Sequence, residues 1–343
     1  MSRVLVALAL VVGVLLPAPS YAAEPGVRPV AVPREGRAVN TSHPDRVVGR
    51  GTPASCTSAA VVRAVGRGGV ITFACGPKPV TIRMRQTAKV FNESRRVVLD
   101  GGGLVTLDGG GKRRILYQNT CDPKQHWTTS HCNDQSYPRL VVQHLTLAHG
   151  SSTGQRYDGG GGGALFVRGG RLKIVDTRFV GNRCDPRGPD LGGAAVRVLD
   201  QHRDRPVYVV RSSFRGGRCS NGGALSSIGV SWRVLNSTFT GNRAVGRGAN
   251  PQRPGTPGGG SGGAIYLDGD RFTLDVAGTL IRDNTAHEGG GAVFFVSNDR
   301  SGTMRIRRST LELNPSEGFE TAGLPGIFFL GARRPSVTDS VLR

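Results

Sequence analysis

The chain has 343 residues, with 45 Lys and Arg against 24 Asp and Glu and a formal charge of +21. That length allows one elongated domain or two compact ones. Its 52 glycines lack a triplet period, which excludes collagen. After the N-terminus no apolar run approaches the length needed to cross a bilayer.

The first 22 residues read as a secretory signal peptide. Arg3 is its positive start, Val4 to Leu16 is an unbroken apolar run, and Ser20-Tyr21-Ala22 offers small residues at the cleavage positions. Pro17 and Pro19 interrupt any longer helix. No Cys follows the cleavage position, so a lipid anchor is not expected and export should release the chain, with cell-surface association left open. Residues 23–54 are rich in Pro and Arg without periodicity and read as a disordered linker. The ordered domain is expected over 55–343.

Ser58 to Val62 with Val65 has the spacing of a short amphipathic helix, followed by Gly68-Gly69 and the strand Val70 to Phe73. Such a helix would cover the first coil of a solenoid. Two strand-and-glycine phrases follow, Val97 to Gly103 and Val105 to Gly111. After a Cys-bearing insertion from Asn119 to Tyr137, Leu140 to Leu147 resumes the strand pattern.

From there a unit repeats that ends in Phe-x-x-Asn. Its closing apolar residues are Leu147, Phe179, Phe214, Phe239, Ile281 and Leu311. Five residues earlier stand Val142, Ile174, Val209, Val234, Val276 and Ile306; seven earlier, Leu140, Leu172, Val207, Trp232, Leu274 and Met304. The positions between them, Val141, Lys173, Tyr208, Arg233, Asp275 and Arg305, are mostly polar. Period-two alternation held over successive units predicts strands with one buried and one wet face. Each unit opens on Gly-Gly-Ala, with Ala164, Ala194, Ala224, Ala264 and Ala292 at spacings of 30, 30, 40 and 28. The long unit contains Gly246 to Ser261, which reads as a flexible loop. A period of this size with short strands predicts an all-β fold, a right-handed parallel β-helix with a short N-terminal capping helix.

Gly163-Ala164 with Phe179-Asn182, and Gly223-Ala224 with Phe239-Asn242, preceded by V-x-L-D-G-G-G, resemble the polymorphic outer-membrane-protein repeat, within the pectin-lyase-like group of parallel β-helices. The resemblance covers roughly Cys56 to the C-terminus. It implies a parallel β-helix and leaves function open, since relatives of this fold include lyases, glycosidases, adhesins and proteins of no known role. Stacked coils would place Asn182, Asn242, Asn284 and Asn314 in one row of turns, where Asn tolerates the left-handed backbone and its amide reaches the next coil. Cys184 and Cys219 hold the same turn position on successive coils, a separation that suits a disulfide in an exported chain. The remaining cysteines suggest Cys56–Cys75 and Cys121–Cys132; no spacing supports a zinc site.

A lyase of this fold would need carboxylates on adjacent coils to hold calcium beside an Arg or Lys base, and a glycosidase two converging acids. The column three residues before the closing position reads His144, Asp176, Arg211, Asn236, Gly278 and Arg308, with a single carboxylate. Candidate ligand-binding residues are therefore His144, Asp176, Arg211, Arg233, Asn236, Arg305 and Arg308. Other acids fall in two loop groups, Asp185, Asp190, Asp200 and Asp204, then Asp268, Asp270 and Asp283 with His287 and Glu288. His126, Trp127 and His131 share the Cys121–Cys132 loop. No cofactor is expected, calcium entering only with the lyase alternative. Only Lys78, Lys89, Lys112, Lys124 and Lys173 are lysines, so the positive charge is almost wholly Arg. That favours anionic polysaccharide or another cell-wall polymer as partner, and the spread of the charge argues against a dedicated nucleic-acid site. Three functions stay open: a secreted, non-catalytic binder of such polymers, a lyase or hydrolase of acidic glycans, and an adhesin-like surface protein.

Overall fold

The computed structural model describes residues 27–155 and 160–343; the signal peptide expected at 1–22 lies outside them. Every pairing between its strands is parallel, and they fall into one large sheet assembly, an eight-stranded sheet and a three-stranded sheet. The fold is the expected right-handed parallel β-helix. A typical coil crosses the eight-stranded sheet at Leu165–Arg168, then the large sheet twice, at Arg171–Val175 and Arg178–Val180. The first crossings pair Tyr208 with Lys173 and Trp232 with both Val207 and Leu274. The second crossings pair Phe214 with Phe179 and Phe239. The apolar columns read from the sequence are thus in true register. They form one continuous core in which Trp232, Val234 and Phe239 are buried.

Coil stacking brings like side chains together at the strand spacing of about 4.8 Å. The rings of Phe179, Phe214 and Phe239 lie 4.6 Å apart and almost parallel. Polar columns stack as well. Asn242 donates to the carbonyl of Phe214 at 3.0 Å while its Oδ1 accepts from Gly217 N at 2.9 Å, and Asn284 repeats the pattern one coil on. These asparagines are buried, but the left-handed residue is the one before each, namely Gly181, Gly241, Asp283 and Leu313. The amide row therefore works through its hydrogen bonds alone. A second row, of hydroxyls, runs beside it. The backbone N–H groups of Thr177, Ser212, Ser237 and Thr279 each donate to a hydroxyl one coil on, those of Ser212, Ser237, Thr279 and Ser309 in turn, at 3.1–3.2 Å.

The repeat opening is shifted by one at a single coil. Ala195 stands level with Ala164 and Ala224, and Ala194 occupies the preceding glycine position beside Cys184 and Cys219. The Cys184–Cys219 disulfide joins successive coils across 4.7 Å between Cα atoms, and Cys56–Cys75 and Cys121–Cys132 are also formed. Helix α1, Ser58–Arg67, is capped by the Thr57 side chain and buries Val61, Ala64 and Val65 over the first coils.

Two segments differ from the reading of their composition. Residues 27–54 are not a loose linker. Arg46–Val48 is the first rung of the large sheet, paired with Gly69–Phe73. Ahead of it, residues 28–41 run as a strap across the coils. Arg28 N donates to Arg308 O, Val30 exchanges two hydrogen bonds with the Asn236 amide, Val39 does the same with Gln143, and Thr41 Oγ1 donates to Asp100. Under the strap lie Val175, Val210, Leu235 and Ala277, which point outward from the sheet and are covered by Val30, Val32 and Ala38. The residues from Gly246 to Ser261 are likewise packed. Arg247 and Ala249 bridge Gly258 and Gly259, and Glu288 accepts from Gly248 N and Arg253.

Candidate functional site

The column His144, Asp176, Arg211, Asn236, Gly278, Arg308 is the bend between the two crossings of the large sheet. All six residues have φ between 46° and 60°, the left-handed turn that redirects the strand and, at every position but Gly278, aims a side chain outward. Three of the candidates meet there. Asp176 receives Arg211 through two bonds of 2.7 Å, and His144 Nε2 lies 3.5 Å from Asp176 while its Nδ1 lies 3.0 Å from Asp100. Burial alone would raise the Asp100 carboxyl, but hydrogen bonds from Gly102 N, Thr41, Gln143 and His144 outweigh it and hold the group below the ordinary carboxylate range. The bonds that Arg211 donates to Asp176 hold its guanidinium above the ordinary value. Asn236 is occupied by the strap.

The other candidates sit farther along. A cleft of about 420 Å³ between the strap and the later coils is lined by Arg233, Arg307, Arg308, Asp275 and Asp339, among others. Arg233 is held over the Tyr208 ring at 5.6 Å and donates to its hydroxyl. Arg305 and Arg307 lie 3.8 and 3.1 Å from Asp275. Much of the positive charge here is already matched.

The loop acids have separate partners. Asp185 accepts from Gly154 N, Asp200 lies 3.6 Å from Arg168, Asp268 takes the Tyr266 hydroxyl, Asp283 faces Arg282 and Glu288 takes Arg253. His287 faces Gly246 O. Among the described residues no three His, Cys, Asp or Glu side chains are gathered as a metal ion would need.

A different surface is open. After each second crossing the chain turns a corner through a left-handed residue, a ladder position and then an outward residue. Gly181, Gly216 and Gly241 take the left-handed place, and a side chain added at Gly216 or Gly241 would meet nothing. The outward place is Arg183, Arg218 and Arg243 on three successive coils, paired rung to rung. Arg215, at the end of the preceding strand, faces the same corner. All four are exposed. The Arg183 guanidinium donates to Gly111 O; among the described residues Arg215, Arg218 and Arg243 form no ion pair. The result is a glycine-floored strip edged by unmatched guanidiniums at one-coil intervals.

Residues 236–268 match the Chlamydia polymorphic membrane protein repeat. The matched stretch runs from the bend at Asn236 through ladder residue Asn242 to the Gly262-Gly263-Ala264 opening and the strand Ile265–Asp268. These are the positions that build the coil, and Arg243 is the only corner arginine among them. Comparison with curated proteins and with solved structures gives no match. The arginine column was present in the sequence as the residue after each ladder position, Asn182-Arg183, Gly217-Arg218 and Asn242-Arg243, but it emerges only when that frame is extended one residue past the repeat.

Proposed function

We propose that this is an exported, non-catalytic scaffold that binds an anionic extracellular or cell-wall polysaccharide along the arginine corner. The observation that carries the reading is the column Arg183, Arg218, Arg243 with Arg215 beside it, exposed next to glycines that leave the approach open. Guanidiniums repeating at coil spacing suit a chain of carboxylates or sulfates, and each can bind its anion with two parallel hydrogen bonds. Three disulfides and the likeness of residues 236–268 to a membrane-protein repeat support a location outside the cytoplasm, at or near a surface. No helix among the described residues is long and apolar enough to cross a membrane. The cleft at Arg233, Arg307 and Arg308 ranks second, because Asp275 and Asp339 offset its charge.

The test is retention on immobilised polygalacturonate across a salt gradient, with an uncharged polysaccharide as control. The reading expects retention that weakens steadily with salt, since exposed charges are screened within about 10 Å at 0.1 M, and no unsaturated product. Equal retention on the neutral polymer, or salt-insensitive retention, contradicts it. Release of unsaturated oligosaccharide would establish a lyase instead.

A further inference from the structure

The N-terminal end of the solenoid carries a second cationic feature that shares no residue with the corner. Helix α1 packs over the strand Ala88–Val90, and its Arg63 and Arg67, one turn apart on the same face, line a cleft of about 800 Å³. Arg85, Lys89 and Arg113 line the same cleft. Among the described residues none that lines it is acidic. Glu93, the carboxylate on the adjoining turn, lies 2.6 Å from His126 Nδ1. The wall is aromatic: the Phe91 ring and the His126 imidazole stack 3.8 Å apart at 18°. His126 is brought there by the loop that the Cys121–Cys132 disulfide closes.

The cleft does not end at Lys89. Thr87 and Lys89 also line a neighbouring hollow of about 540 Å³ walled by Tyr117. The Tyr117 hydroxyl donates to Asp122, which also accepts from Gln125 and Lys124 N, so that carboxylate is engaged. Arg114 lies over the Tyr117 ring at 5.4 Å; burial pushes it down to about 10, still cationic at neutral pH. The two hollows form one trough in which cations alternate with aromatic faces. A single inorganic anion would fill a fraction of it. One stacked pair and one tyrosine fall short of the serial aromatic platforms on which single-stranded nucleic acid is held.

We infer that this trough binds a short acidic oligosaccharide, its carboxylates or sulfates meeting Arg63, Arg67 and Lys89 while a sugar face lies against Phe91 and His126. The corner grips a polymer along its length by charge; the trough recognises a few residues by charge and stacking together. The inference stands whether or not the corner binds polymer.

Calorimetric titration of the full chain with trigalacturonate tests it. The wild type is expected to bind, a neutral trisaccharide is not, and Arg63→Ala with Arg67→Ala is expected to weaken binding at least about tenfold. Phe91→Leu should weaken it by about fivefold through lost stacking. In a chain that also carries Arg183→Ala, Arg218→Ala and Arg243→Ala, so that the corner no longer contributes, the same loss on Arg63→Ala with Arg67→Ala is expected. Lys89→Ala, on an exposed strand position, gives a second reading if the helix variant does not fold. Failure of the wild type to bind, equal affinity for the neutral trisaccharide or for inorganic phosphate, tighter binding of a short oligodeoxynucleotide, or wild-type affinity in the Lys89 and helix variants would overturn the inference.

Discussion

The outer face of the large sheet and the arginine corner are built from the same coils, a few residues apart, yet they meet solvent differently. On the sheet face the outward column is Val175, Val210, Leu235 and Ala277, and the chain lays its own residues 28–41 over it. At the corner the outward column is Arg183, Arg218 and Arg243, and nothing among the described residues covers it. In a solenoid the backbone is the same at every level, so the chemistry of one outward column decides whether a face is buried or left for a partner. A column of Val and Leu gains about 1.5–3 kcal/mol per large side chain when covered. A column of guanidiniums is better solvated and stays open.

The sharpest way to break this contrast is to place a charge in each column. Val210→Asp should destabilise the protein by about 3–5 kcal/mol, because the carboxylate lies unpaired beneath the strap. Arg218→Asp should stay within about 0.5 kcal/mol, as for an exposed position. Denaturant unfolding of both variants checks the pair, and equal effects would show that the strap does not seal the sheet. Next in size, Cys184→Ser with Cys219→Ser should cost about 2–4 kcal/mol through the loop it opens between successive coils. That loss should shift the unfolding midpoint while leaving the strap in place.

Smaller effects probe how the strap is held. Asn236→Ala removes both bonds to Val30 and should cost roughly 1–2 kcal/mol, seen as faster hydrogen exchange at the Val30 amide with the core strands unaffected. The smallest effect is one of pH. The Asp100 carboxyl is held below its ordinary value, so its contribution is complete above about pH 4 and is lost as the pH falls through the lower folded value. Exchange at Val39, whose amide is bonded to Gln143, should quicken in that acid window, and Asp100→Asn should remove much of the dependence.

The inward columns were legible because period-two alternation recurs with Phe-x-x-Asn as its frame, and the Cys184–Cys219 bond because both cysteines keep one distance from that frame. The strap was not. Its Pro and Arg content carries no period, since it is fastened by the side chains of Asn236 and Gln143 in place of a strand ladder. Its complement was visible all the same: Val175, Val210, Leu235 and Ala277 stand four before each closing residue, on the face that alternation makes outward, and four apolar residues there require a cover. The one-residue slip at Ala194 has a plain cause, because Ala194-Ala195 offers two alanines after Gly193 and only the backbone pairing chooses between them. Among the candidate residues, His144, Asp176 and Arg211 shared a column and do meet. His144 reads as a turn residue and the column is a bend; what the column could not reveal is that side chains on its adjacent coils serve one another.

On the function proposed above, polymer is met at the corner and not on the strapped face. Arginine-directed modification read by mass spectrometry, with and without polygalacturonate, tests it most directly. Polymer is expected to protect Arg183, Arg215, Arg218 and Arg243 while Arg233 and Arg308 keep their reactivity. Protection confined to Arg233 and Arg308, with the corner arginines as reactive as before, would contradict it.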